Sequence, residues 1–109
     1  MYKPRQGDII YLNFTPQAGH EQGGRRPALI ASNDKFHKYT NMAMVCPITN
    51  TQRPFPLHVP LDDGTTTTGV ILCEQIKSLD LEARNAEYKE SVSDEILNEV
   101  LERLILSIE

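Results

Sequence analysis

Between two apolar stretches of this 109-residue chain lies Gln17-Ala18-Gly19-His20-Glu21-Gln22-Gly23-Gly24-Arg25-Arg26-Pro27, which packs a histidine, a carboxylate, amides and two guanidinium groups into one connection. Its three glycines allow close backbone approach to a ligand. Arginine's planar fork matches phosphate oxygens bidentately, and Pro27 restrains Arg26 to an extended backbone, aiming it at the entrance of the next strand. His20 is the one side chain there whose ordinary pKa lies near neutrality. The plainer reading is a solvated hairpin loop in which Glu21 pairs with Arg25 or Arg26, as weak surface ion pairs commonly do.

A second polar loop follows the run that ends in Cys46-Pro47-Ile48-Thr49, and holds Asn50, Thr51, Gln52, Arg53 and Phe55, the last between two prolines. Thr49 stands at a strand's end, where a rigid scaffold can hold its hydroxyl; taken alone it reads equally as a cap or ladder residue. Phe55 is either a lid on the core or a platform for a stacked base. Further on, the polar pair Glu74-Gln75 directly follows an apolar stretch and asks for a partner. Cys46 and Cys73 sit in apolar runs, with no Cys-x-x-Cys pair and no histidine at ligand spacing. They read as small buried hydrophobes, so neither a disulfide nor a metal is expected.

The elements that must carry these loops are mostly strands. Asp8 to Phe14 alternates so that Ile10, Leu12 and Phe14 share a face, and Thr15-Pro16 stops it. Ala28 to Ser32, Met42 to Thr49, Leu57 to Leu61 and Val70 to Leu79 are further β-rich runs between Gly, Pro, Asn and Asp clusters. Pro47 and Pro60 lack a donor and belong at strand ends, edges or bulges. Asn33 to Lys38 suits a capped helical turn, Asp80 a short turn through Arg84, and Ala86 to Val92 a returning strand. The period then changes. Ile96, Leu97, Val100, Leu101, Leu104, Ile105 and Ile108 form one apolar stripe of a helix capped by Ser93, roughly 24 Å long. Short sequential strands and one terminal helix predict a mainly β fold: a small SH3-like antiparallel barrel with a C-terminal α-helix, in a single domain spanning 1–109.

A formal net charge of −4 disfavours a nucleic-acid partner, but it is unevenly spread. Residues 1–61 carry seven basic against three acidic side chains, a surplus of +4, and residues 62–109 carry four against twelve, a deficit of −8. That asymmetry fits a basic working face, or equally chance plus an acidic solvated helix. The longest apolar run, Met42 to Ile48, is far short of the roughly 20 residues that span a bilayer, and no signal-like segment follows the N-terminus; a soluble cytoplasmic protein is expected.

Gly7-Asp8-Ile9-Ile10, Phe14-Thr15-Pro16, Gly19-x-Glu21-Gln22-Gly23-Gly24-x-Arg26-Pro27-Ala28-Leu29-Ile30, Pro47-Ile48-Thr49 and Glu74-Gln75-Ile76-Lys77-Ser78-Leu79-Asp80, in that order over almost the whole chain, resemble the MazF/PemK toxins of bacterial type II toxin-antitoxin systems. The resemblance implies a CcdB/PemK-type barrel and a homodimeric mRNA interferase. Such an enzyme is a metal-independent endoribonuclease that cuts single-stranded RNA, mainly mRNA, at short sequences, halts translation and growth, and is neutralised by a cognate antitoxin. It implies Arg26 and Thr49 as the catalytic pair and no cofactor. Two departures stand out: His20 occupies a place where the family often has serine, and Arg25 adds a base at a variable position.

In such a reaction the RNA's own 2′-hydroxyl attacks the phosphate, so the chemistry needs that hydroxyl deprotonated, the phosphorane charge stabilised and the leaving 5′-oxygen protonated. Arg26 suits charge stabilisation and Thr49 a hydrogen bond to the phosphate or the 2′-hydroxyl. Neither is a base, which leaves His20 and Glu21 as candidates by type for catalytic support. Gln17, Gln22, Arg25, Thr51, Gln52, Arg53, Phe55 and Gln75 are the expected RNA-binding residues, for each of which a solvated loop role is the alternative. The competing function is a non-enzymatic, gyrase-poison-like inhibitor on the same barrel, acting through protein contacts of its terminal helix; a third is a plain β-barrel interaction module.

Overall fold

Apolar residues occupy both faces of the first strand, and that settles how the sheet is covered. A computed structural model of the chain describes residues 2–14, 24–50 and 55–109. In β1 (Asp8–Asn13), Ile9, Ile10 and Leu12 are all fully buried. Ile10, Leu12 and Phe14 enter one cluster with Ala28, Ile30 and Val45, as the alternation predicts. Ile9 enters a second cluster on the opposite face with Leu29, Cys46 and Ile48. The sheet is therefore buried on both sides.

The strands β2 (Arg25–Ile30), β3 (Ala43–Thr49), β4 (His58–Pro60), β5 (Val70–Leu72), β6 (Lys77–Leu79) and β7 (Glu87–Ser91) complete a seven-stranded antiparallel sheet in the order β4-β5-β3-β2-β1-β7, with β6 also on β3. The expected single run from Val70 to Leu79 is split. A 3-10 turn at Cys73–Gln75 separates β5 from β6, so that β6 pairs the first half of β3 and β5 the second. This explains Pro47, which lies inside β3 rather than at an end or edge. It faces Ala28 of β2 and sits between the last β6 pairing at Val45 and the first β5 pairing at Ile48, where β3 exchanges one outer neighbour for another and no ladder donor is required. Pro60 ends the edge strand β4, as expected.

Helix α1 (Asp34–Thr40) is capped by Asn33, whose side chain accepts from the Phe36 amide at 3.0 Å. The turn after β6 is closed by Asp80, which accepts from the Ala83 amide at 3.1 Å. Helix α2 (Asp94–Ile108) starts at Ser93, whose hydroxyl accepts from the Ile96 amide at 3.2 Å. Its stripe is buried only in part. Ile96 and Val100 join the second cluster and Leu104 packs against it, whereas Ile105 and Ile108 are 53% and 86% exposed. Cys46 and Cys73 are free and buried in the same cluster. No helix among the described residues is long and apolar enough to cross a membrane.

Candidate active site

Strand register brings Arg26 and Thr49 together. The β2 and β3 ladder runs from Ile30 opposite Val45 to Ala28 opposite Pro47. Two residues further along each strand the same register leads to Arg26 and Thr49, on the face that Ala28 and Pro47 share. Both line one cleft of about 460 Å³, whose floor includes Pro27 and Ile48. Thr49 is 7% exposed there, and its backbone is held in the sheet opposite Val70 of β5. Arg26 is half-buried and paired across to Leu12 of β1. A guanidinium and a hydroxyl fixed on two central strands suit a site that holds a phosphate group in one orientation.

The rest of the cleft wall comes from segments without an evident signature. Thr66, Thr67 and Thr68 form one side, Tyr11 and Lys89 another. The threonine segment is pinned by Glu90 of β7. Its carboxylate accepts from the Thr66 amide and hydroxyl, both at 3.0 Å, from the Thr67 amide at 2.8 Å and from the Thr67 hydroxyl at 2.6 Å. Burial pushes this carboxyl up in pKa, but the hydrogen bonds from Thr67 and Thr66 outweigh it and lower it to about 2. Glu90 is thus an ionised brace for the wall. Gly69 closes the same segment against β3: with φ at +117°, it lies so near Thr49 that a side-chain methyl would run into the Thr49 carbonyl oxygen.

Arg25, a neighbour of Arg26 in sequence, points elsewhere. Its guanidinium donates to Glu87 Oε1 at 2.6 Å, to the Asn85 carbonyl at 3.1 Å and to Asn13 Oδ1 at 3.3 Å, tying β2 to the far edge of the sheet. Phe55 falls in a second group, and Gln75 ends the 3-10 turn that also carries Glu74. The Phe55 ring packs on His58 with centroids 5.0 Å apart, and His58 Nε2 lies 3.0 Å from Glu74 Oε2. That hydrogen bond is the partner which Glu74 asks for. Arg103 of α2 donates through Nε to the Pro56 carbonyl at 3.0 Å, so the helix also steadies the end of this loop. Gln17, His20, Glu21, Gln22, Thr51, Gln52 and Arg53 lie outside the described residues. Among the described residues no group of three or more His, Cys, Asp or Glu side chains stands where it could hold a metal.

Comparison with known proteins places this geometry. The family model for the PemK-like, MazF-like toxin of type II toxin-antitoxin systems matches residues 5–108. The chain is 41% identical over 103 residues to the endoribonuclease PemK of Escherichia coli, covering 91% of this chain and 77% of that protein. It is 38% identical over 96 residues to the endoribonuclease toxin MazF of Escherichia coli K12, covering 88% and 86%. The crystal structure of MazF from Deinococcus radiodurans superposes with a TM-score of 0.90 at 39% identity, over 99% of this chain and 100% of that one. MazF in a MazE-MazF crystal structure from the same organism gives 0.84 at 39% identity, over the full length of both.

Proposed function

This chain belongs to the PemK-like, MazF-like toxins, and from that premise we propose that it is an endoribonuclease toxin that cleaves single-stranded RNA, mainly mRNA, and so stops translation and growth. The relatives are named endoribonucleases, which favours the nuclease over a non-enzymatic inhibitor on the same barrel. The observation that carries the site is the convergence of Arg26 and Thr49 on one cleft from adjacent strands.

The scissile phosphate sits between these two groups. The RNA 2′-hydroxyl oxygen attacks phosphorus, its proton passes to a base, and the bond from phosphorus to the 5′-oxygen breaks as that oxygen takes up a proton. The products are a 2′,3′-cyclic phosphate and a 5′-hydroxyl, with no covalent enzyme intermediate. Arg26, always protonated, stabilises charge on the phosphorane oxygens. Thr49 donates a hydrogen bond to a phosphate oxygen and fixes the reacting geometry. His20 and Glu21 are the candidates by type for the proton transfers, and Gln17, Gln22, Thr51, Gln52, Arg53, Phe55 and Gln75 for base recognition.

The protein acts in the cytoplasm as one domain and as a homodimer, whose two chains build a groove long enough for several nucleotides. A cognate antitoxin neutralises it, as the MazE-MazF structures of the Deinococcus relative support. The antitoxin covers the basic loops with an acidic tail that is disordered beforehand. The test is incubation of the purified protein with a long single-stranded RNA in EDTA, followed by mapping of new 5′ ends. Discrete cuts are expected, slowed about 10²-fold or more by Arg26→Ala and by Thr49→Ala in folded protein. Cleavage indifferent to Arg26→Ala would falsify the assigned site, and no cleavage by the unmodified protein the activity.

A further inference from the structure

Strand β7 does not pair regularly with β1. Ile9 faces Glu90 and Ile10 faces Tyr88, so Lys89 is an extra residue in the ladder, a β-bulge. A bulge re-aims the side chains beside it and is frequent next to active sites. Here it parts two consecutive side chains, one bracing the wall of the cleft from outside and the other lining the cleft. Glu90 goes to the Thr66–Thr67 wall, which it braces with four hydrogen bonds. Lys89 goes over the ring of Tyr11, with Nζ 5.0 Å from the ring centre. Both Lys89 and Tyr11 line the cleft that holds Arg26 and Thr49.

The lining residues described include two cations, Arg26 and Lys89, and no carboxylate. The nearest acidic neighbour in sequence, Glu90, already accepts from Thr66 and Thr67. An ammonium laid across an aromatic face is oriented by the ring quadrupole, yet keeps donors for an incoming anion. A nuclease that binds a strand, rather than one phosphate, needs charge beside the scissile position as well as at it.

We propose that Lys89 is an RNA-binding residue of this site: it holds a backbone phosphate next to the scissile one, with Tyr11 as its rest and the β7 bulge as the device that delivers it. The proposal rests on the endoribonuclease reading and adds a residue to it. Because a phosphate contact carries no base information, Lys89 strengthens binding of every sequence alike and leaves the choice of cut to the loops.

The experiment compares the unmodified protein with Lys89→Met, which keeps the stem over Tyr11 and removes the charge, and with Lys89→Arg. Cleavage of a short single-stranded RNA is followed over about 50–200 mM salt, together with binding to the same oligonucleotide carrying a 2′-deoxy sugar at the cut. Lys89→Met is expected to raise KM about 10-fold at low salt with kcat within about twofold, the pattern of lost uniform binding. It should also flatten the log affinity against log salt slope by about 0.7, the share of one phosphate on a single strand. Lys89→Arg should restore both, with the cut positions unchanged throughout. An unmodified protein that cleaves while Lys89→Met shows the same KM and slope overturns the assignment of Lys89 alone. Binding without cleavage removes the nuclease reading, and the slope then still decides for or against the lysine. No RNA binding by the unmodified protein overturns both.

Discussion

Gly69→Ala tests whether Thr49 has to stand where β3 now puts it. A methyl at Gly69 would collide with the Thr49 carbonyl oxygen, and would stand 2.8 Å from the Thr49 carbonyl carbon and 3.0 Å from Asn50 Oδ1. Ordinary carbon contacts begin near 3.5 Å, so either the end of β3 or the incoming loop must move by about 0.7 Å or more. The loop resists. Leu61 donates to the Gly69 carbonyl at 2.9 Å, and Glu90 pins Thr66 and Thr67 a few residues earlier. The movement therefore falls largely on Thr49 and Asn50. A displacement of about 1 Å in a positioned group costs on the order of 10²-fold in rate, or about 2.7 kcal/mol in the barrier. A φ of +117° adds strain for any side chain, of order 1–3 kcal/mol in stability. Single-turnover RNA cleavage should accordingly drop about 100-fold in a variant whose far-UV circular dichroism shows it folded at the assay temperature. Gly64→Ala in the same loop is the control: the methyl meets only the end of the Asp62 side chain, which can turn away, and cleavage should stay within about twofold. A folded Gly69→Ala protein that cleaves as fast as Gly64→Ala would refute the reasoning.

The remaining predictions concern stability. Glu90 has a folded-state pKa of about 2 against an ordinary 4.5, so its brace contributes fully above about pH 4.5 and is lost as pH falls through that interval towards 2. Glu90→Gln, losing about 1 kcal/mol net, should lower Tm by about 4–8 °C at pH 7. The gap to the unmodified protein should narrow steadily below about pH 4.5 and close only as pH falls past about 2, and a gap independent of pH would remove the ionised brace. Val100→Asp places a carboxylate at a fully buried position of α2, in the apolar cluster that includes Ile9, Ile48 and Val59, and should cost about 4 kcal/mol or more in urea unfolding. An unchanged urea midpoint would show that α2 is not part of the core.

What the sequence made legible follows the range of the interactions. The α2 stripe, its Ser93 cap and the alternation of β1 are local patterns, and each appears in the structure where its period or its cap places it. Arg26 and Thr49 are legible at one remove, because a motif names them and antiparallel register then joins them. The interior position of Pro47 was not legible, since the gap between β5 and β6 that makes it tolerable depends on a turn 26 residues later in the chain. The brace from Glu90 to Thr66 spans 24 residues, the pair of His58 with Glu74 spans 16, and the Lys89 bulge exists only relative to β1. No spacing within one element marks any of the three.

The same distinction resolves how a protein of net charge −4 presents a site for RNA. Acidic side chains dominate residues 62–109, but several are engaged on the spot: Glu90 by two threonines, Glu87 by Arg25, Glu74 by His58, Glu99 by Arg103. None of these lines the cleft with Arg26, Thr49 and Lys89. At physiological ionic strength the Debye length is about 8 Å, so exposed charges on the far side of the barrel act weakly on a phosphate bound in that cleft. The field a strand meets there is set by the cations within reach, and one of them, Lys89, comes from the acidic portion of the chain, turned inward by a bulge. Net charge, even when divided by position along the sequence, therefore understates the basicity of the site; what decides it is which carboxylates already have a donor.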